Sequence, residues 1–363
     1  AIQGADITGA YGVSFVIILA NVFFYELWSA RRGLVSRAWA RALVPAVILA
    51  AWFVYGAVRL AEDPGKSGAM KISLVQGNIP QEIKWAASLR DDIFEKYRLL
   101  TQIAALTQSP ELIIWPETAF PDYLVAGEND APLQELARET RTPLLVGSIR
   151  LAGMRYFNSA VLFDAAGVPS GVYNKLHLVP FGEFLPGRRR FPWLVKILPI
   201  EDFTAGRRYK MFSLVNRAGE QVEIGVLICF EDIFSDLAST FVRRGADVLV
   251  NITNDAWFGD TSSPYQHLAS SIFRAVENRV YVARAANTGI SCVIDDAGRM
   301  QEIVADEAGK RTFVTGTQAG WVYRTLRQGL YAKLGDIFAY LCALFVTVVL
   351  FVRVRQEYGK KNA

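Results

Sequence analysis

Three short stretches hold the residues best suited to covalent chemistry. The nucleophile candidate is Cys229, in Gly225-Val-Leu-Ile-Cys-Phe-Glu-Asp232. An apolar run over 222–228 reads as a buried strand that stops at the thiol, and Ile233, Leu237 and Phe241 then recur at helical spacing. A thiol at a strand-to-helix junction sits where a thiolate is stabilised and exposed. The competing role for Cys229 is a small buried hydrophobe, the fate of most free cysteines. In Glu111-Leu-Ile-Ile-Trp-Pro-Glu-Thr-Ala-Phe120, Pro116 ends a strand and leaves Glu117 at its C-terminal edge. A carboxylate among apolar and aromatic neighbours suits a general base; a solvated loop glutamate is the alternative. In Tyr173-Asn-Lys-Leu-His-Leu-Val-Pro-Phe-Gly-Glu-Phe184, Lys175 follows a strand-like hairpin arm. A lysine there can stabilise an oxyanion or hold a thiolate, where the plainer reading is a surface lysine.

Other chemistries have little to draw on. The only histidines are His177 and His267, and the three cysteines (Cys229, Cys292, Cys342) form no metal-type spacing, so no metal site and no cofactor is expected. The thiols are expected to be free. A net charge of +4, much of it in two clusters near the membrane candidates, does not suggest a nucleic-acid surface.

The elements that must position these residues fall into two materials. Apolar residues make up 52% of the 363-residue chain and charged ones only 20%, which predicts a membrane component. Residues 7–25, 42–58 and 337–352 carry no charge, and each is long enough, or nearly so, to cross a hydrocarbon core of about 30 Å. This predicts helices at about 7–27 and 42–60 within a region 1–62, and a third over 335–353. Between them, short apolar runs at 72–76, 112–115, 144–149, 160–163, 224–228, 248–252, 280–283 and 292–294 alternate with helical patterns at 88–106, 131–140, 232–244 and 265–278. That alternation predicts an α/β domain over 70–318. Asp164-Ala-Ala-Gly and Asp295-Asp-Ala-Gly mark hairpin turns.

The flanks predict orientation. Arg31, Arg32, Arg37 and Arg41 lie between the first two spans with no acid among them, and Arg353, Arg355, Lys360 and Lys361 follow the third. The positive-inside rule makes both segments cytoplasmic, including the tail 354–363, and puts the α/β domain on the opposite side.

In this order, Trp-Pro-Glu, Asn-Lys-Leu-His-Leu and Leu-Ile-Cys-Phe-Glu-Asp resemble the nitrilase, or carbon–nitrogen hydrolase, superfamily over about two-thirds of the chain. The resemblance implies an α-β-β-α sandwich and a Glu117–Lys175–Cys229 triad. The flanking spans, Val75-Gln-Gly-Asn-Ile-Pro-Gln81 with Trp85, and Phe181-Gly-Glu-Phe-Leu-Pro186 narrow it to the apolipoprotein N-acyltransferases, a membrane-bound bacterial branch. Supporting or substrate-binding roles are thereby implied for Trp85, Glu183, Phe230 and Glu231. Phe230 departs from the branch, where tyrosine is more usual. That branch carries about eight spans, so the resemblance, with the absent initiator Met, implies a missing N-terminal part.

The implied reaction moves a fatty acyl chain from a phospholipid, through a Cys229 thioester, to the N-terminal amine of a diacylglyceryl-cysteine apolipoprotein. The implied location is the bacterial inner membrane, multi-pass, with the catalytic domain on the periplasmic side. The loop 178–203, with Phe191, Trp193 and Leu194 among arginines, suits a lipid boundary, and Trp257 and Phe258 form a second candidate rim. The rival reading is a membrane-tethered amidase that uses the same triad with water as second nucleophile. A non-catalytic scaffold is a third class, and the presence of all three triad residues argues against it.

Overall fold

The computed structural model describes residues 1–32, 38–63, 65–188, 190, 193 and 202–361. Two compact units result: one made of 65–275 and 280–327, the other of 1–64, 276–279 and 328–363.

The larger unit is an α-β-β-α sandwich built on two sheets. In the first, β1 (Lys66–Gln76), β2 (Leu112–Ile114) and β4 (Leu144–Ala152) are parallel neighbours, and β3 (Tyr123–Leu124) also pairs with β4. Then β5 (Arg155–Phe163) and β6 (Pro169–Asn174) continue antiparallel, and β13 (Gly316–Thr325) closes the far edge on β1. The second sheet repeats the plan. There β8 (Gln221–Ile228), β9 (Val248–Thr253) and β10 (Tyr281–Ala286) are parallel, with β7 (Met211–Val215) antiparallel on one side and β11 (Cys292–Ile294) and β12 (Met300–Gln301) on the other. The strands β2, β9 and β10 are buried at every position; β2 is accordingly apolar throughout, while Asn251 on β9 and Arg284 on β10 are buried polar exceptions. Both turn signals join antiparallel partners, β5 to β6 and β11 to β12.

Helices cover the outer faces. On α3 (Arg90–Gln108), Ile93, Tyr97, Thr101 and Ala104 are buried at helical spacing, and Asp91 and Asp92 suit its first turn. With α4 (Ala131–Thr140) it seals a core containing Trp115, Phe120, Leu133, Leu136 and Phe163. On the other sheet, α5 (Ser235–Arg243) buries Leu237, Phe241 and Val242. It starts later than the 232 expected, because Cys229–Ile233 forms a separate 3₁₀ turn.

The smaller unit holds α1 (Ala5–Arg31), α2 (Ala38–Ala61) and α8 (Ile337–Lys361), each long and apolar enough to cross a membrane. The short α7 (Leu330–Leu334) and the last turn of α6 (Ser263–Asn278) complete it. A buried charged cluster ties its ends together. Asp6 accepts hydrogen bonds from Arg59 Nε at 2.9 Å, Arg279 Nη2 at 2.9 Å and Tyr55 OH at 2.9 Å. Beside it, Gly9 turns α1 through a left-handed φ of 65° against the Tyr331 ring, a place where any Cβ would overlap the ring.

Candidate active site

All three candidate catalytic residues follow strand ends: Glu117 after β2, Lys175 directly after β6 and Cys229 directly after β8. Carboxyl ends of strands are the usual place for ligands in α/β sheets.

Glu117 is fixed from two sides. The preceding Trp115 is fully buried, stacks on Tyr97 with centroids 4.8 Å apart and donates its indole N–H to Thr101 at 2.8 Å. The Glu117 carboxylate accepts from Asn158 Nδ2 at 2.7 Å and from the Asn254 backbone N–H at 2.9 Å. Gly147 on β4 lies so close behind that a Cβ there would stand 2.1 Å from the Pro116 carbonyl oxygen.

Lys175, 1% exposed, lies between two carboxylates. Its Nζ is 2.9 Å from Glu183 Oε1 and 3.5 Å from Glu117 Oε1. Burial alone would push its pKa down, but Glu117, Cys229 and Glu183 outweigh that and hold it above the ordinary lysine value. Glu183 is oriented in turn by Asn158 Nδ2 at 2.8 Å and the Val179 N–H at 2.8 Å. Asn158 thus spans both carboxylates with one amide.

Glu231, fully buried, clamps two catalytic loops to each other. It accepts from Leu176 N at 2.6 Å and His177 N at 3.1 Å just past Lys175, from Ile228 N at 2.8 Å just before Cys229, and from Tyr173 OH at 3.0 Å. Burial pushes its pKa up to about 7, against the pull of those backbone donors.

Cys229 has φ +53°, a conformation rare outside glycine, and is 8% exposed. Asn251 Nδ2 secures its carbonyl at 3.1 Å and is itself held by Arg284 at 2.5 Å. Behind it lies a buried charge network in which His267 bridges Asp232 at 3.0 Å and Asp255 at 2.8 Å, with Arg284 reaching both acids. Burial and Arg284 push the His267 pKa down, but the two aspartates prevail and raise it. The expectation that the strand-to-helix junction stabilises and exposes a thiolate at Cys229 needs correction. Burial, then Glu117, pushes the thiol well above its usual range despite Lys175 and the Thr253 hydroxyl, and the following 3₁₀ turn spans only Cys229–Ile233. At rest Cys229 is a neutral thiol.

A second lysine escaped the sequence reading. Lys84, 4% exposed, donates to Thr118 Oγ1 at 2.6 Å and to the Glu117 carbonyl at 3.2 Å. Burial pushes it down to about 8, while the Glu117 carboxylate pulls the other way. Asn158, Asn254 and Asn287 were missed as well; Asn287 ties Ile79 of the Val75–Gln81 stretch to Asn254. The only available hint to Lys84 was its place beside Trp85, since a polar residue in a loop or strand end has no periodic signature.

The remaining candidates lie around this centre or outside the described residues. Phe230 is half-buried against Phe258 and His267, with centroids at 5.8 and 4.8 Å. Trp85, Trp257 and Trp193 are exposed, at 43%, 71% and 56%. Phe191 and Leu194 fall outside the described residues. All three cysteines are free. Among the described residues no group of three or more His, Cys, Asp or Glu could hold a metal ion.

Comparison with known proteins places this geometry. Residues 71–315 match the carbon-nitrogen hydrolase family. A protein named apolipoprotein N-acyltransferase from Geobacter metallireducens is 38% identical over 98% of this chain and 68% of its own length. Proteins of the same name from Chlorobaculum tepidum and Bradyrhizobium diazoefficiens are 33% and 32% identical, over 82% and 99% of this chain and 61% and 67% of theirs. The chain therefore spans roughly two-thirds of the length of these relatives. Among solved structures, the NitFhit protein of C. elegans superposes with a TM-score of 0.53 at 18% identity, covering 76% of this chain and 65% of that one. A mutant amidase from Nesterenkonia sp. AN1, with the acetamide moiety of fluoroacetamide on its active-site cysteine, gives 0.52 at 18%, covering 75% and 95%.

Proposed function

The chain belongs to the carbon–nitrogen hydrolase family, in its apolipoprotein N-acyltransferase branch, and from that premise we propose that it moves a fatty acyl chain from a phospholipid to the N-terminal amine of a diacylglyceryl-cysteine lipoprotein. The observation that carries this reading is the convergence of Glu117, Lys175 and Cys229 in one buried cluster, on a chain with three membrane-length apolar helices.

Because the thiol rests neutral, attack and deprotonation go together. Glu117 takes the Cys229 proton as sulfur adds to the ester carbonyl. Lys175, with a backbone N–H near Phe230, meets the oxyanion that forms; losing one such donor commonly costs about 10²–10³ in rate. Collapse breaks the ester C–O bond, the lysophospholipid oxygen takes the proton back from Glu117, and a thioester remains. The lipoprotein amine then attacks that thioester, Glu117 receives the amine proton, and it returns to the departing sulfur. Glu183 keeps Lys175 oriented, and Lys84 has a third N–H free to meet the entering ester or amine.

The exposed apolar side chains Trp85, Phe181, Trp193 and Trp257 support a lipid-facing mouth. Basic residues at the end of α1 and the end of α8 support a cytoplasmic location for both ends, with the α/β unit on the periplasmic face of the inner membrane. The rival, a tethered amidase, shares every residue but hands the acyl group to water. The membrane protein in detergent, given phospholipid and a diacylglyceryl-cysteine peptide, separates the two. Acylated peptide at the expense of phospholipid is expected; free fatty acid with unmodified peptide would favour the hydrolase.

A further inference from the structure

A second concave site lies on the α/β unit beside the catalytic one. The ends of β4, β5 and β6 and the segment 204–210 enclose a cleft of ≈ 540 Å³. Five cationic side chains line it (Arg150, Arg155, Arg207, Arg208 and Lys210), and among the described residues no carboxylate does. None of the five is paired with a carboxylate among the described residues. Other arginines of this unit behave differently: Arg90 meets Asp122 at 2.8 Å and Arg324 meets Asp247 at 2.7 Å. Arg150 is half-buried, and its Nε is buried without a hydrogen-bond partner among the described residues. Its guanidinium and that of Arg155 lie 5.7 and 5.6 Å from the Phe157 ring centroid, which brings the two charges together.

Five like charges around one cleft repel one another, and a buried unbonded donor is costly. Both penalties end when an anion enters. Guanidinium forks suit a phosphate better than a single carboxylate, because its several oxygens can meet several forks at once. The volume is far larger than inorganic phosphate needs and falls in the range of small-molecule sites. Phe157, Val172 and Tyr209 supply apolar wall for an organic remainder. The cleft also adjoins the triad through the chain. Asn174 and Phe157 face it, their chain neighbours Lys175 and Asn158 serve the triad, and the Gly206 N–H donates to the Lys175 carbonyl at 2.7 Å.

We propose that this cleft binds an organic phosphodiester anion, the chemistry that an anionic phospholipid headgroup presents. The inference rests on the cleft alone and not on acyl transfer.

The test uses the protein in uncharged detergent with Cys229→Ala, so that turnover cannot obscure binding. Calorimetric titrations with dihexanoyl-phosphatidylglycerol, glycerophosphoglycerol and inorganic phosphate are compared. Saturable binding of a diester, weakened about tenfold in Arg207→Ser/Arg208→Ser and by added salt, is expected. Both residues are exposed, so the double variant spares the core. Tighter binding of the lipid than of glycerophosphoglycerol identifies a headgroup site, and equal binding identifies a soluble diester. No saturable binding, binding indifferent to the double variant, or inorganic phosphate binding as tightly as the diesters would each overturn the proposal.

Discussion

At the scale of single residues, the site contains two groups whose ionised forms burial disfavours. Cys229 is held neutral by burial and by the Glu117 carboxylate. Its alkylation by a small neutral electrophile, followed by mass spectrometry of the Cys229 peptide, should rise steadily with pH through and beyond 9. A plateau below pH 7 would mean a preformed thiolate and a different first step. Lys84, pushed down to about 8, carries the second consequence. Unfolded lysine titrates near 10.5, so between roughly 8 and 10.5 the unfolded chain binds a proton that the folded one does not. Stability therefore rises with pH across that window, and the penalty is fully present below it. Lys84→Met should flatten this slope in thermal melts at pH 8 to 10.5 and stabilise the protein at pH 7 by an amount on the order of 1–3 kcal/mol. A slope that survives the substitution would assign it to another group.

At the scale of elements, the strands do the positioning, and Gly147 is where this can be tested with least ambiguity. A methyl group at Gly147 would meet the Pro116 carbonyl, so Gly147→Ala should push Glu117 out of line. Overpacking of this kind costs about 1–3 kcal/mol, and a misplaced catalytic group costs on the order of 10²-fold in rate. A variant that melts normally and turns over normally would show that the close approach is unimportant. The same elements explain what was legible beforehand. Runs such as Val248–Thr253 are buried on both faces, and they read as strands directly. By contrast, β7 and β13 mix exposed and buried positions and show no such run, so they were not recognised. The candidate triad was readable because each member follows a strand-like run and sits in a motif. Lys84 and Asn158 were not, since their function comes from partners 33 and 41 residues distant. The thiol's charge state depends on burial, which no local pattern encodes.

At the scale of the whole molecule, apolar side chains on the α/β unit and membrane-length helices on the other unit belong to one account of lipid access. Trp257 and Phe181 are 71% and 61% exposed, so removing them should disturb little of the core. Trp257→Ser with Phe181→Ser should lower turnover of bilayer phospholipid by roughly tenfold, equivalent to about 1.4 kcal/mol of lost apolar contact. Alkylation of Cys229 should be unchanged, and a parallel fall in both would indicate a damaged site instead of a lost lipid contact. The central claim, however, is that the acyl chain resides on Cys229 between donor and acceptor. The most direct measurement supplies the detergent-solubilised protein with phospholipid carrying a tagged acyl chain, stops the reaction before any acceptor is added, and analyses the protein. A Cys229 thioester predicts a tag on the Cys229 peptide that hydroxylamine removes, and none in Cys229→Ala. Acyl transfer to the peptide amine with no tag ever found on the protein, or a tag that persists in Cys229→Ala, would contradict it.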